Sequence, residues 1–242
     1  LVHDDVVENN FERRGYFYNK AICKNKKSEL VCDYLLSKGL QLSVDNQEFR
    51  LLKIVSDAVQ QMSEGELLQI EKVRRMDISE AVYYEVIRQK TASLIASCCA
   101  AGASSAGASE ETIQLMHSFG ENIGIAFQIK DDLFDFGLDD VGKPKGLDIK
   151  EKKVTLPLIY ALNKVDKSTR KKIINLVKNH EDKPEKINQI IEFVKEQGGL
   201  SYAEGEMMKY QARAFDLIKD FPSSISKDSL EQLVKYTTER KK

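Results

Sequence analysis

The 242-residue sequence has no Cys-x-x-Cys pair and no cysteine spacing that reads as a disulfide framework. Its four cysteines, Cys23, Cys32, Cys98 and Cys99, therefore point away from a disulfide-stapled secreted scaffold and toward a reducing, cytoplasmic setting. The adjacent Cys98 and Cys99 lie in an Ala/Ser run and read as small core residues. No apolar run approaches the roughly 20 residues that span a bilayer, and no signal peptide is visible. An excess of charge of one sign is missing too. With 37 basic and 38 acidic residues the net charge is −1, so no bulk field favours nucleic acid or an anionic membrane, and any charge function must be local. Strand-like alternation of useful length, internal repeats and low-complexity linkers are all lacking.

Prolines are few: Pro144, Pro157, Pro184 and Pro222. The long intervals between them carry apolar residues at three- and four-residue spacing, which predicts a mostly α chain, and 42% hydrophobic content is ample for the core of one domain. The stretch FRLLKIVSDAVQQMSEGELLQIEKVRRM sets Leu51, Ile54, Val55, Ala58, Val59 and Met62 on one helical face. A second helix is predicted from about Ser79 through ISEAVYYEVIRQKTASLIASCCAAGA, its far end small, apolar and buried. A third runs from Glu110 to about Phe136, opened by Ser109 with acidic residues in its first turn. After it comes a polar loop, GLDDVGKPKGLDIKEKK, then a helix opening near Thr155 with Pro157 in its first turn. Several shorter amphipathic helices complete the chain.

Two acidic clusters stand out. In LVHDDVVENNFERRG, Asp4, Asp5 and Glu8 project from one face of a helix, and in AFQIKDDLFDF, Asp131, Asp132 and Asp135 repeat that spacing. An exposed acidic run is ordinarily a solvated face. The second cluster is different, because Phe127, Ile129, Leu133, Phe134 and Phe136 surround it. Carboxylates among apolar groups need counter-ions, since desolvating an unpaired ion costs several kcal/mol. Oxygen ligands select hard cations, Mg²⁺ or alternatively Mn²⁺, and Mg²⁺ takes few carboxylates and completes its shell with water and phosphate oxygens. Two acidic clusters thus suggest metal ions clamping a diphosphate. Arg13 and Arg14 after the first cluster, Lys90 in QKTASL, and Lys143 and Lys153 after the second could add direct charge-assisted bonds.

These motifs, with MSEGELLQIE, RQKTASLIASCCAAGA, GKPKGLDIKEKKVTLPLIYAL and the terminal YTTERKK, resemble in order and spacing the all-trans polyprenyl diphosphate synthases, in particular the medium- and long-chain, octaprenyl-like members that make quinone side chains. The resemblance covers nearly the whole chain. It implies an all-α isoprenoid synthase fold with helices around a deep central cavity, residues 1–242 forming a single domain, and commonly a homodimer. It also implies a cytoplasmic prenyltransferase that binds an allylic diphosphate and isopentenyl diphosphate, with peripheral membrane contact only through its product.

Carried over position by position, Asp4, Asp5, Asp131, Asp132 and Asp135 would bind Mg²⁺. Glu8 stands where the motif has its last Asp. Arg13, Lys90, Lys143 and Lys153 would contact the allylic diphosphate and Arg14 the isopentenyl diphosphate, while Thr91 and Gln128 would turn oxygen dipoles toward a developing allylic cation. Family members carry helices before the first motif, with a Gly-Lys-Arg isopentenyl diphosphate site, that residues 1–242 are expected to lack. Residues 16–32 also depart from the family, with Lys27 and Glu29 at expected core positions and Cys32 at an expected Gly. Two rival readings are a non-catalytic partner subunit of a heteromeric synthase, which typically loses the aspartate motifs, and a class I terpene cyclase, which normally lacks the second DDxxD and the GKPKGLD loop. One energetic expectation also follows from the acidic cluster. If Asp131 only adds repulsion and desolvation, Asp131→Ala should leave the metal-free protein at least as stable as the parent.

Overall fold

The computed structural model describes residues 12–13, 16–17, 25–75, 79–137, 146–179 and 183–240. They fall into two compact units, Leu1–Lys53 and Ile54–Lys242. In the first, two-residue strands β1 (Glu12–Arg13) and β2 (Tyr16–Phe17) pair antiparallel, with Glu12 opposite Phe17 and Arg13 opposite Tyr16. Helix α1 follows at Asn25–Asp45, with Leu30, Val31, Tyr34, Leu35 and Leu42 exposed.

The division falls within α2 (Phe49–Arg75). The second unit continues with α3 (Glu80–Ile87), a π-helical turn (Arg88–Ala92), α4 (Ser93–Ser105) and α5 (Glu110–Asp135). Then come α6 (Leu147–Lys150), α7 (Leu156–Asn163), α8 (Lys167–Asn179), α9 (Pro184–Glu196), α10 (Gly199–Ile218) and α11 (Ile225–Glu239). The all-α architecture expected from the sequence is borne out.

The helix starts follow from their capping chemistry. Ser79 accepts from the Val82 amide and Ser109 from the Thr112 amide, each at 3.3 Å. Glu80, Glu110 and Glu111 place negative charge in those first turns. Pro157 and Pro184 open α7 and α9, where a missing amide proton costs nothing. Helix α5 organises the unit, making its most extensive contacts with α4 and α10 and touching α3, α6, α7, α11 and the π turn as well. Its buried Phe119, Ile123, Ile129 and Leu133 each contribute about 1.5–3 kcal/mol by leaving water.

Close approach along α5 depends on small residues. A methyl group built on Gly120 would lie 2.7 Å from Ala96 Cα, and one on Gly124 would lie 2.5 Å from Ala92 Cα. Glycine at these two positions lets α5 lie against α4 and the π turn at backbone contact.

Three details differ from the sequence-based expectation. The helix predicted from Ser79 is not continuous: the Ser93 amide bonds to Arg88 O, five residues back, and inserts the π turn. The small-residue end of that helix is only partly core. Ala96, Ser97 and Ala100 are buried, but Cys98 is exposed and Cys99 half-buried, burial pushing the Cys99 thiol up to about 11. The apolar face of α2 is incompletely covered as well, with Ala58 buried but Val55 and Val59 48% and 42% exposed.

Candidate active site

The last two turns of α5 carry Gln128, Asp131, Asp132 and Asp135, and their surroundings differ sharply. Asp132 is 3% exposed. Its Oδ2 accepts from the Tyr83 hydroxyl at 2.6 Å and its Oδ1 from the Gln128 side-chain amide at 2.9 Å. Burial raises the Asp132 pKa well above the usual carboxylate range, as does the nearby charge of Asp148, while the two hydrogen bonds oppose the rise. Tyr83 is shifted upward by burial and by Asp132, which keeps its proton in place to donate. Each oxygen of Asp132 thus accepts one hydrogen bond from a protein donor.

Asp131 faces a cation already. Arg240 Nη2 donates to Asp131 Oδ1 at 2.5 Å and to Phe127 O at 3.3 Å. The guanidinium lies over the Phe127 ring, 4.0 Å from its centroid, and its side chain is 12% exposed. Helix α11 holds this arginine at its end by burying Val234, Thr237 and Thr238, and Gln211 on α10 donates to Thr238 Oγ1. Asp135 binds the chain at the start of α6. Its Oδ1 accepts from the Leu147 amide at 2.7 Å and its carbonyl from the Gly146 amide at 2.9 Å, with Gly146 at φ +75°, a left-handed conformation suited to glycine. Lys153, two residues beyond α6 and its C-cap Glu151, pairs with Glu151 at 2.7 Å.

The π turn presents Lys90 and Thr91 to α5. An inserted residue redirects side chains within a helix, and such turns frequently occur at functional sites. Thr91 Oγ1 donates to Gln128 Oε1 at 3.0 Å, so the two residues expected to act on a cation touch each other. Lys90 Nζ lies 2.6 Å from Glu66 Oε2 on α2. Gly65 allows that approach, since a methyl group there would lie 2.8 Å from the Lys90 backbone nitrogen.

Of the residues singled out from the sequence, the structure thus brings together Thr91, Gln128, Asp131 and Asp132 around α5 and the π turn, with Lys90 beside them in chain and Asp135 one turn on. Asp4, Asp5, Glu8, Arg14 and Lys143 lie outside the described residues, and of Arg13 only the backbone, in β1, is described. Tyr83, Glu66 and Arg240 were not singled out. Tyr83 sits at core spacing in YYEVIR, and nothing local to it signals a partner on α5. Among the described residues no three carboxylate, imidazole or thiolate side chains converge to hold an ion. Their all-oxygen donor set nonetheless fits a hard divalent cation that draws most of its ligands from water and a phosphorylated substrate.

Comparison with known proteins gives this arrangement a class. The family model for polyprenyl synthetase matches residues 1–194. Heptaprenyl diphosphate synthase component 2 of Bacillus subtilis is 32% identical over 243 residues, covering 100% of this chain and 69% of that protein. The crystal structure of a decaprenyl diphosphate synthase from Rhodobacter capsulatus superposes with a TM-score of 0.93 at 30% identity, over 100% of this chain and 75% of that one. A polyprenyl synthase from Caulobacter crescentus, complexed with calcium and isoprenyl diphosphate, gives a TM-score of 0.90 at 30% identity, over 100% of this chain and 74% of that one. The fold and site define a prenyltransferase. The chain belongs to the polyprenyl synthetase family.

Proposed function

We propose that this chain is an all-trans polyprenyl diphosphate synthase, condensing isopentenyl diphosphate with an allylic diphosphate in a Mg²⁺-dependent reaction that makes a quinone side-chain precursor. The observation that carries the reading is the 3.0 Å bond from Thr91 to Gln128 at the end of an acidic helix, where oxygen dipoles and carboxylates are fixed side by side. Asp131 and Asp135, together with Asp4, Asp5 and Glu8, would hold Mg²⁺, which would supply Lewis-acid stabilisation of the departing diphosphate. Asp132 belongs to the same acidic set by resemblance, and here each of its oxygens also accepts a hydrogen bond from a protein donor.

The chain's own residues do the rest. Lys90, Arg13, Lys143 and Lys153 bind the allylic diphosphate, and Arg14 binds the isopentenyl diphosphate. Thr91 and Gln128 present partial negative charge to the allylic cation as its carbon–oxygen bond breaks. The isopentenyl double bond then attacks that carbon, and loss of a proton, accepted by the released diphosphate, restores an alkene. Mg²⁺ fits this donor set, and the relative solved with calcium and isoprenyl diphosphate supports divalent-metal use.

To test the reading, the protein expressed from its native gene is given an allylic diphosphate and labelled isopentenyl diphosphate, and products are sized by mass spectrometry. Label should enter a polyprenyl diphosphate with Mg²⁺ present and fall to background in excess EDTA. Full incorporation in EDTA would sink the metal clamp.

A second prediction concerns Lys90. Its ammonium is held near Glu66 by a contact that a diphosphate would replace, so Lys90→Ala should raise the apparent KM for the allylic substrate more than that for isopentenyl diphosphate. Equal shifts would refute the division of binding roles.

Assembly is read as a homodimer in the cytoplasm, supported by the exposed Leu30, Val31, Tyr34, Leu35 and Leu42 of α1. Among the described residues no helix is long and apolar enough to cross a membrane. The relative named component 2 favours one alternative, a chain that works with a different subunit. Light scattering and turnover of the purified chain alone separate the two.

A further inference from the structure

The hydrogen bonds beneath the Thr91–Gln128 pair have a fixed polarity. Asp132 is the acceptor in both of its hydrogen bonds. Both oxygens of Asp132 are met by donors, the Tyr83 hydroxyl at 2.6 Å and the Gln128 amide NH₂ at 2.9 Å. Giving its NH₂ to Asp132 forces Gln128 to turn Oε1 the other way, and that oxygen accepts the Thr91 hydroxyl proton at 3.0 Å. Once Thr91 has spent its only proton on Gln128, what remains outward on its oxygen is lone pairs. The group that sets this direction is buried, and its second oxygen is satisfied by a residue 49 positions away on another helix. Tyr83 is itself 5% exposed, so its hydroxyl is shielded from bulk water.

We infer that Tyr83 is a positioning residue: by anchoring Asp132 through Oδ2, it leaves Oδ1 aimed at the Gln128 amide and so fixes which way round that amide sits, and hence the sign of the dipole that Thr91 and Gln128 present. The inference rests on the assignment of Thr91 and Gln128 to the allylic cation made above. It gives Asp132 a task other than metal binding, that of a buried acceptor orienting its neighbour. Without the Tyr83 hydroxyl, Asp132 Oδ2 has no protein donor, and the carboxylate is free to rotate, draw in the amide differently or let it flip.

The test is a double-substitution cycle on the full-chain enzyme. Tyr83→Phe should lower kcat by about 10- to 100-fold, the range for residues that support a catalytic group from behind, with KM for both diphosphates and the half-saturating Mg²⁺ within about twofold of the parent. Gln128→Leu should lower kcat comparably, and adding Tyr83→Phe to it should cost nothing more, because two residues acting through one group are not additive. Multiplying effects in the double variant, with each single variant impaired, would overturn the role of Tyr83 alone. An unimpaired Gln128→Leu would overturn the assignment of Gln128 beneath it. Asp132→Asn, nearly isosteric, gives a second check should Tyr83→Phe fold poorly: it should reduce kcat while leaving the Mg²⁺ requirement unchanged. A tenfold rise in half-saturating Mg²⁺ would instead make Asp132 a metal ligand and end the proposal.

Discussion

Asp131→Ala is expected to destabilise the metal-free protein by about 2 kcal/mol and to lower turnover by at least about a hundredfold. The stability half of this result reverses what the acidic cluster suggests by itself. Read from the sequence, Asp131 brings only repulsion from its neighbours and a desolvation cost. The structure adds Arg240, whose guanidinium is 12% exposed and donates to Asp131 Oδ1 while lying over Phe127. Deleting the carboxylate leaves that guanidinium without its anion in a mostly apolar setting, and removing one partner of such a pair costs more than the pair itself contributes. Urea unfolding in EDTA measures the effect directly. A second substitution sharpens it: Arg240→Gln in the Asp131→Ala background should recover part of the lost stability, because no uncompensated charge is then buried. Turnover should not recover, since the carboxylate offered to the metal is still absent. A metal-free Asp131→Ala protein at least as stable as its parent would show that the Arg240 contact contributes nothing.

Sequence spacing alone identified the helical architecture, because apolar periodicity and the capping serines Ser79 and Ser109 are local signals. It also placed the second acidic cluster at the end of its helix. What it could not supply was which carboxylate meets which partner. Asp131, Asp132 and Asp135 look equivalent at their i, i+1, i+4 spacing, yet one faces an arginine 109 residues away, one a tyrosine 49 residues away, and one the amide of Leu147. Those distinctions come from tertiary packing of α3, α6 and α11 against α5. The π turn escaped for a related reason. RQKTASL has the composition of an ordinary helix, and nothing in it signals the extra residue or the backbone contact of Ala92 with Gly124.

That contact yields the second large prediction. Gly124→Ala adds a single methyl group, usually a gain in a helix because alanine has the higher propensity. Here it should destabilise the protein by about 1–3 kcal/mol through overpacking and lower kcat by about a hundredfold. The added carbon would sit 2.5 Å from Ala92 Cα and 2.7 Å from Ala92 Cβ. Backbone cannot swing aside as a side-chain tip can, so the π turn and α5 must separate by about 1 Å to reach ordinary carbon–carbon contact. Thr91 is the next residue along that turn and Gln128 one helical turn along α5, and their 3.0 Å hydrogen bond does not survive such a displacement. A shift of this size at a catalytic pair is worth about two orders of magnitude in rate. Gly120→Ala supplies the control. Its methyl group would lie 2.7 Å from Ala96 Cα, so it should cost similar stability, but the strain falls a turn further from the pair and kcat should drop less than about tenfold. Both variants are assayed well below their melting temperatures so that the folded fraction is constant. Equal losses of turnover in the two would mean that activity follows general stability, and undiminished turnover in Gly124→Ala would show that the Thr91–Gln128 geometry does not set the rate.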